Sequence, residues 1–451
     1  MLTFIRTFLR DETGVAGPII ALSMMSLISA TGASIDYARA QMVQTKLADT
    51  LDAAGLAAGA TLSSQDSTDV AQNYFDVNFP QGFMNAAIDP LSVNVNDTKS
   101  VLTLSASAKV PTIFMGIVGI NEMDVSASTE ITRKSGGLEV VLVLDNTGSM
   151  AGQKLTDLKT SSTELINILF GDDATKEKLW VGVIPFSQAV NIGTGYSSWM
   201  DTTYNATLNW HGVPWSGCVD ARSGSYDQTD DLPSLQKFKS YYWKDDSNND
   251  WLKSNGSLRS GIGPDLGPNR YCPQRLLEMT NVKADILDAI EDMAARGNTH
   301  VNLGAAWGWR MLSPNWRGMW GGAMGVNNLP LDYGTEHMTK VMILMTDGDN
   351  TMSSTVRSAY GYLSEGKLGT TNASAAVTQL NNRLTTTCTS MKSHGIKIYS
   401  IMFNLNSSSV RTLFKGCASD EDYFFESATS DDLLQAFRQI GDSLSNLRIS
   451  K

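Results

Sequence analysis

The chain has 451 residues, enough for two or three folded units, and its 42% hydrophobic and 18% charged residues are an ordinary globular balance. Its formal net charge of −11, with no Lys/Arg run, excludes the basic face of a nucleic-acid binder. Its four cysteines, Cys218, Cys272, Cys388 and Cys417, have no CxxC spacing, which argues against a zinc knuckle.

In chain order, the first predicted element is an apolar helix. Residues 15–35 read VAGPIIALSMMSLISATGASI without a single charge. That is the length a helix needs to cross a bilayer core, about 20 residues. Arg6 and Arg10 precede it and Asp36 follows it. The positive-inside rule then places residues 1–14 in the cytoplasm and the bulk of the chain outside. A cleaved signal peptide is the competing reading, because Ala30 to Ala33 offers a small-x-small site. A buried helix of a soluble core is another, although uncharged helices of this length are uncommon there. The many Ser, Gly and Ala residues would allow close approach to a second membrane helix.

The helical pattern continues through residues 36–60. Met42, Val43, Leu47, Leu51, Ala54 and Leu56 fit one face, either of a stalk or of a helix packed on its own domain. Residues 61–134 are expected to form a small β-rich domain. It opens with a short helix over Val70–Val77. Period-two strands follow at Leu91–Val95, Val101–Ala108 and Val125–Ile131, with Asn96-Asp97 as a hairpin turn. Residues 133–137 read as a linker.

From residue 138 to 451 the pattern is strand, helix, strand, helix. Buried strands are expected at Leu138–Leu144, Leu179–Pro185, Val341–Met345 and Ile396–Phe403. Helices are expected at Lys154–Phe170, Val282–Ala294, Ala373–Lys392 and Asp431–Leu447. The alternation predicts a doubly wound, Rossmann-like α/β domain. It fails at about residues 194–275, a Gly-, Ser-, Asp- and Trp-rich insertion bracketed by Cys218 and Cys272. Chain order suggests Cys218–Cys272 and Cys388–Cys417 as the pairs, out of three possible pairings. The insertion's tryptophans could pack the loops or form a binding surface.

The stretch VLVLDNTGSM ends an apolar strand on Asp145 and places Thr147 and Ser149 around a glycine. In an open parallel sheet, ligands bind at the carboxyl ends of the strands. One carboxylate and two hydroxyls in a tight turn suit a hard cation such as Mg²⁺. The plainer alternative makes Thr147 or Ser149 a helix cap. A second apolar strand, VMILMTD, ends on Asp347, and Thr299 offers a further hydroxyl on a loop before a helix.

In these residues the chain resembles the von Willebrand factor type A domain. That family's metal-ion-dependent adhesion site pairs an Asp-x-Ser/Thr-x-Ser turn with a Thr and an Asp from two further loops. The resemblance implies that Asp145, Thr147, Ser149, Thr299 and Asp347 hold Mg²⁺, or alternatively Mn²⁺ or Ca²⁺. It implies hydroxyls bound directly, carboxylates acting partly through water, and an acidic residue of a partner protein completing the shell. Asn298 and His300 flank Thr299 where small residues are more usual. Over nearly the whole chain, the opening segment, Val183–Ser187 (VIPFS), Trp307–Pro314 (WGWRMLSP) and Cys417–Ser419 resemble TadG-like proteins of the Tad (tight adherence, Flp) pilus system. This resemblance implies a single-pass protein of a bacterial inner membrane, its bulk in the periplasm or reaching the cell surface, acting with other Tad components in pilus assembly or adhesion. Ile19 stands where related pseudopilins carry a Glu after the processed Gly14, so prepilin-type cleavage is not expected.

Two rival functions stand beside metal-dependent binding. One is a structural scaffold with a non-functional or purely structural metal site. The other is a Mg²⁺-dependent enzyme, for which a general base and a phosphate cradle are missing. Gly361–Leu368 (GYLSEGKL) approaches a P-loop, but Leu368 replaces the Ser/Thr that must hold Mg²⁺. No HExxH or GxSxG motif occurs. No turnover is expected.

Overall fold

The computed structural model describes residues 16–59, 64–96, 101–132 and 136–449. The expected cytoplasmic residues 1–14, Asp97 of the hairpin turn and residues 133–135 of the linker lie outside them. The chain divides into two compact units, the first ending at Ser135 and the second running from Gly136 to Ile449.

In the first unit a single helix spans Ala16–Gly59, 44 residues without a break at Asp36. Its early part is bare: Ile19, Leu22, Met24, Met25, Leu27 and Ile28 are all more than half exposed. An apolar surface of that extent is what a lipid-facing helix presents. The helix is long and apolar enough to cross a membrane once. Further along, Ala40, Val43, Leu47, Leu51, Ala54 and Ala58 recur every third or fourth residue and are buried. They cover one face of an antiparallel sheet made of β1 (Ala87–Ile88), β2 (Ser92–Val95), β3 (Val101–Pro111) and β4 (Glu122–Thr132). Along β3, Leu102, Leu104, Ala106, Ala108 and Val110 point into this core, and the residues between them are more exposed. The Ser64–Asn78 helix adds Ala71 and Phe75. Asn96 closes the β2–β3 end, where its side chain accepts from the Val101 N–H at 3.0 Å.

Helix and sheet share one core, the second of the two readings of residues 36–60, a helix packed on its own domain. A small sheet with a single apolar face cannot bury that face alone, and the helix supplies the cover.

The second unit is built on an eight-stranded sheet. Its strands are β5 (Gly137–Asp145), β6 (Leu179–Phe186), β7 (Val190–Asn191), β8 (Cys218–Val219), β9 (Leu277–Thr280), β10 (Met338–Thr346), β11 (Lys397–Phe403) and β12 (Phe424–Ser427). The order is β12-β11-β10-β5-β6-β7-β8, with β9 also beside β6. The five strands from β12 to β6 are mutually parallel, and β7, β8 and β9 pair antiparallel. Numbered along the chain, the parallel strands stand in the order 2-1-3-4-5 of a doubly wound sheet.

All nine residues of β5 are buried, because helices cover both faces. Leu138, Val140, Leu142 and Leu144 face the helices Gln153–Phe170, Lys283–Glu291 and Ser430–Ile449. Val141 and Val143 face the helices Val301–Leu312, Ala373–Ser393 and Ser408–Cys417. Cys218 is bonded to Cys272, and Cys388 to Cys417. The insertion packs inward: Trp199, Trp243 and Trp251 are fully buried. Trp199 meets the rings of Trp307, Trp316 and Trp320, so these aromatics tie the insertion into the domain's own core.

Candidate functional site

The order 2-1-3-4-5 has its switch point between β5 and β10, where successive crossovers leave the sheet in opposite directions and open a crevice at the carboxyl ends. β5 ends on Asp145. β10 lies in parallel register beside it, with Met345 opposite Leu144, and delivers Thr346 and Asp347 next. Two apolar strands thus carry two carboxylates to one edge.

Asp145 is fully buried and each oxygen is held. Oδ1 accepts from the Thr147 N–H at 2.8 Å, and Oδ2 accepts from the Thr346 hydroxyl at 2.6 Å. The first bond is an Asx-type turn that folds the chain back and sets Thr147 beside Ser149. The two hydroxyls lie 2.9 Å apart. Ser149 donates to Asp347 Oδ1 at 2.6 Å, so its single proton is used and Thr147 donates to Ser149. Lys154 Nζ, from the first turn of the following helix, donates to Asp347 Oδ2 at 2.7 Å.

The third loop is drawn in by glycines. Gly148 donates its N–H to the Gly297 carbonyl at 2.9 Å, and a Cβ on Gly148 would lie 3.3 Å from that oxygen. Gly297 has φ +76°, and a Cβ there would stand 2.6 Å from Gln188 Oε1. Thr299 is held by a reciprocal pair with Thr351: its N–H reaches the Thr351 hydroxyl at 3.1 Å, and the Thr351 N–H reaches its carbonyl at 3.0 Å. A Cβ built on Gly348 would lie 3.7 Å from Thr299 Oγ1 and 3.8 Å from Ser149 Oγ. The structure therefore brings all five predicted residues, Asp145, Thr147, Ser149, Thr299 and Asp347, to one crevice.

Burial, and next the charge of Asp347, push the Asp145 carboxyl up to about 6. His300 is also fully buried, and burial pushes its imidazole down to about 4, which keeps it neutral. Its ring stacks on Tyr360 at 5.7 Å, so the bulky residue beside Thr299 points into the interior.

Sequence reasoning missed Thr346, Lys154, Gln188, Asn350 and Thr351. Thr346 was accessible in principle, since it directly precedes Asp347 and strand register sets it beside Asp145. The others act across the fold: Gln188 Oε1 accepts from Asn298 N at 2.8 Å, and Asn350 Oδ1 accepts from Val301 N at 2.8 Å.

Among the described residues no group of three or more His, Cys, Asp and Glu converges. The crevice instead joins two carboxylates to three hydroxyls, an all-oxygen set of the kind hard cations take. Within that set, Asp347 is already paired with the Lys154 ammonium at 2.7 Å.

No family model matches the chain, and no curated protein matches it. Solved structures resemble it at low identity. The von Willebrand factor domain of the type V pili tip protein Mfa5 from Porphyromonas gingivalis is 13% identical, over 70% of this chain and 97% of that one, with a TM-score of 0.38. The pilus adhesin SpaC from Lactobacillus rhamnosus GG is 11% identical, over 80% of this chain and 34% of that one, with a TM-score of 0.36. Proximal thread matrix protein 1 from the mussel byssus, solved with zinc in its MIDAS motif, is 12% identical, over 70% of this chain and 47% of that one, with a TM-score of 0.33. The chain spans about a third of SpaC and half of the mussel protein. The 2-1-3-4-5 sheet with helices on both faces is the doubly wound, Rossmann-like arrangement expected from the sequence.

Proposed function

We propose that the chain is a membrane-anchored binding protein whose α/β unit holds a divalent cation, Mg²⁺ or Mn²⁺, and through it a carboxylate of a protein partner. The observation that carries this reading is the hydroxyl chain from Thr147 through Ser149 to Asp347. It aligns donors from two strand ends on one point. Thr147, Ser149 and Thr299 would hold the ion through neutral oxygens, with Asp145 and Asp347 as the outer charges. An ion held mainly by neutral ligands stays electrophilic and can accept a further oxygen ligand. Asp145 orients the turn through the Thr147 N–H, and Thr346 keeps Asp145 in place. Nothing in this chemistry requires turnover. The pilus setting rests on the resemblance of the opening segment to TadG-like proteins, and the partner is then another component of that apparatus.

One observation favours the scaffold reading. Lys154 already pairs with Asp347 and supplies a cation from within the chain. Calorimetric titration of Mg²⁺ and Mn²⁺ into the full chain in nanodiscs, beside Asp145→Ala, separates the two. Saturable binding that is lost in the variant, with both proteins folded, supports metal-dependent binding. No binding to folded wild type, alone or with acidic peptides present, rejects it in favour of the scaffold.

A further inference from the structure

The loop between β3 and β4 in the first unit carries an apolar surface that neither the core nor the candidate metal site uses. From Pro111 to Asn121 it reads PTIFMGIVGIN, with no charge. Ile113, Ile117, Val118 and Ile120 are 61%, 63%, 60% and 43% exposed, a cluster that water does not favour. The loop has a fixed place. The Asp36 carboxylate accepts the N–H groups of Ile113, Phe114 and Met115, each at 2.8 Å. Phe114 lies against Gly32, where an added Cβ would fall 2.4 Å from the Phe114 Cβ. The loop therefore sits beside Gly32–Asp36, the far end of the uncharged run that begins at Val15.

Length decides what covers it. Ala16 to Thr31, the stretch of helix before the loop contact at Gly32, rises only about 24 Å at 1.5 Å per residue. A bilayer core is about 30 Å thick. To bury the whole core within this run, the helix must sink into the membrane as far as the residues that the loop flanks. We infer that the β3–β4 loop is a second membrane contact, dipping its isoleucines and valine into the outer edge of the lipid beside the helix. This inference rests on the helix being a membrane span.

Three further features fit a lipid-facing loop. Its backbone is paired within itself or by Asp36: Thr112 N reaches Asn121 O at 3.0 Å, Gly119 N reaches Gly116 O at 3.1 Å, and Ile120 N reaches Met115 O at 3.1 Å. Hydrocarbon demands such pairing. Charge returns at its base, where Lys109 and Glu122 pair at 3.2 Å. Tyr37, 57% exposed at the same level of the helix, is a residue type enriched at membrane interfaces. Together they give the first unit two membrane contacts instead of one.

The test places a fluorophore on single thiols in the full chain in nanodiscs, at Ile117→Cys, Met24→Cys and Val77→Cys. Among the described residues the native cysteines are all in disulfides, so each new thiol is labelled alone. Val77 is 84% exposed on the Ser64–Asn78 helix and serves as the aqueous reference. The expected result is strong quenching of the Ile117 and Met24 labels by lipid-borne nitroxide and several-fold weaker quenching at Val77, with the order reversed for aqueous iodide. An Ile117 label quenched by iodide as strongly as Val77, with Met24 in lipid, overturns the loop contact alone. Protection of Ile117 from both quenchers overturns it too, in favour of a protein cover. A Met24 label open to iodide removes the membrane span itself and the loop contact with it.

Discussion

The two sheets of this protein obey different rules. In the first unit a helix covers one face and β3 alternates buried and open residues. In the second, helices cover both faces and β5 is buried throughout; a charged pair inside the sheet, Glu139 with Lys340, is itself buried, and Asp145, Thr147 and Ser149 gather at the carboxyl end. The switch point of that sheet separates two adjacent loops and leaves room for a ligand. The difference explains why one unit supplies anchorage and the other a candidate site.

Buried charge should sharpen the contrast most. In the second sheet Glu139 and Lys340 pair on neighbouring strands, 1% and 7% exposed, and the Glu139 carboxylate also accepts the Leu331 N–H at 2.7 Å. Lys340→Ala would leave Glu139 buried without its partner, and the α/β unit should lose about 3–5 kcal/mol in chemical denaturation. In the first sheet the Lys109–Glu122 pair is half exposed, and Lys109→Ala should leave that unit's unfolding midpoint unchanged. Equal sensitivity of the two pairs would break the comparison.

Next in size is the cover of the first sheet. Leu47 is fully buried between helix and strands, and Leu47→Ala should destabilise the first unit by about 2–5 kcal/mol. Hydrogen exchange read unit by unit should show the loss confined to residues before Ser135. A loss spread over both units would show that they do not fold separately.

Asp145 gives a smaller effect with a defined sign. Its carboxyl titrates higher in the fold than when free, so its share of stability is complete below about 3.8 and disappears as pH rises through about 6. Without metal, Asp145→Asn should therefore be more stable than wild type at pH 7, by about 1–3 kcal/mol, and the gap should close near pH 4. Thermal scans in chelator at both pH values check this. A variant less stable than wild type at pH 7 would mean that the bonds to Thr147 and Thr346 outweigh the buried charge.

The smallest predicted change concerns Lys154, whose side chain is 29% exposed. If its ammonium competes with a divalent cation for Asp347, Lys154→Met should tighten Mg²⁺ binding roughly 2- to 5-fold, the ~0.5–1 kcal/mol of a part-exposed pair. Weaker binding in the variant would make Lys154 a support of the site.

Much of this was legible because it is local. A continuous apolar run ending on Asp145 or Asp347 marks a strand and its carboxyl end, and DNTGS is a contiguous turn. The 3.6 period of Ala40 to Ala58 marks the buried helix face, but nothing local says whether that face meets its own sheet or another chain. The insertion was opaque for the same reason. Trp199 finds Trp307, Trp316 and Trp320 across more than a hundred positions, with no period linking them. β7, β8 and β9 are too short to leave an alternating pattern. Lys154 and Gln188 reach the site only because helix and loop fold back over it.

Anomalous diffraction from crystals of the protein grown with Mn²⁺ would show whether the β5–β10 switch point holds a divalent cation. The expected result is a single strong peak within bonding distance of the hydroxyls of Thr147 and Ser149, with Lys154 moved off Asp347. A crevice with no peak and with Lys154 still on Asp347, at Mn²⁺ concentrations that saturate known manganese sites, would contradict it.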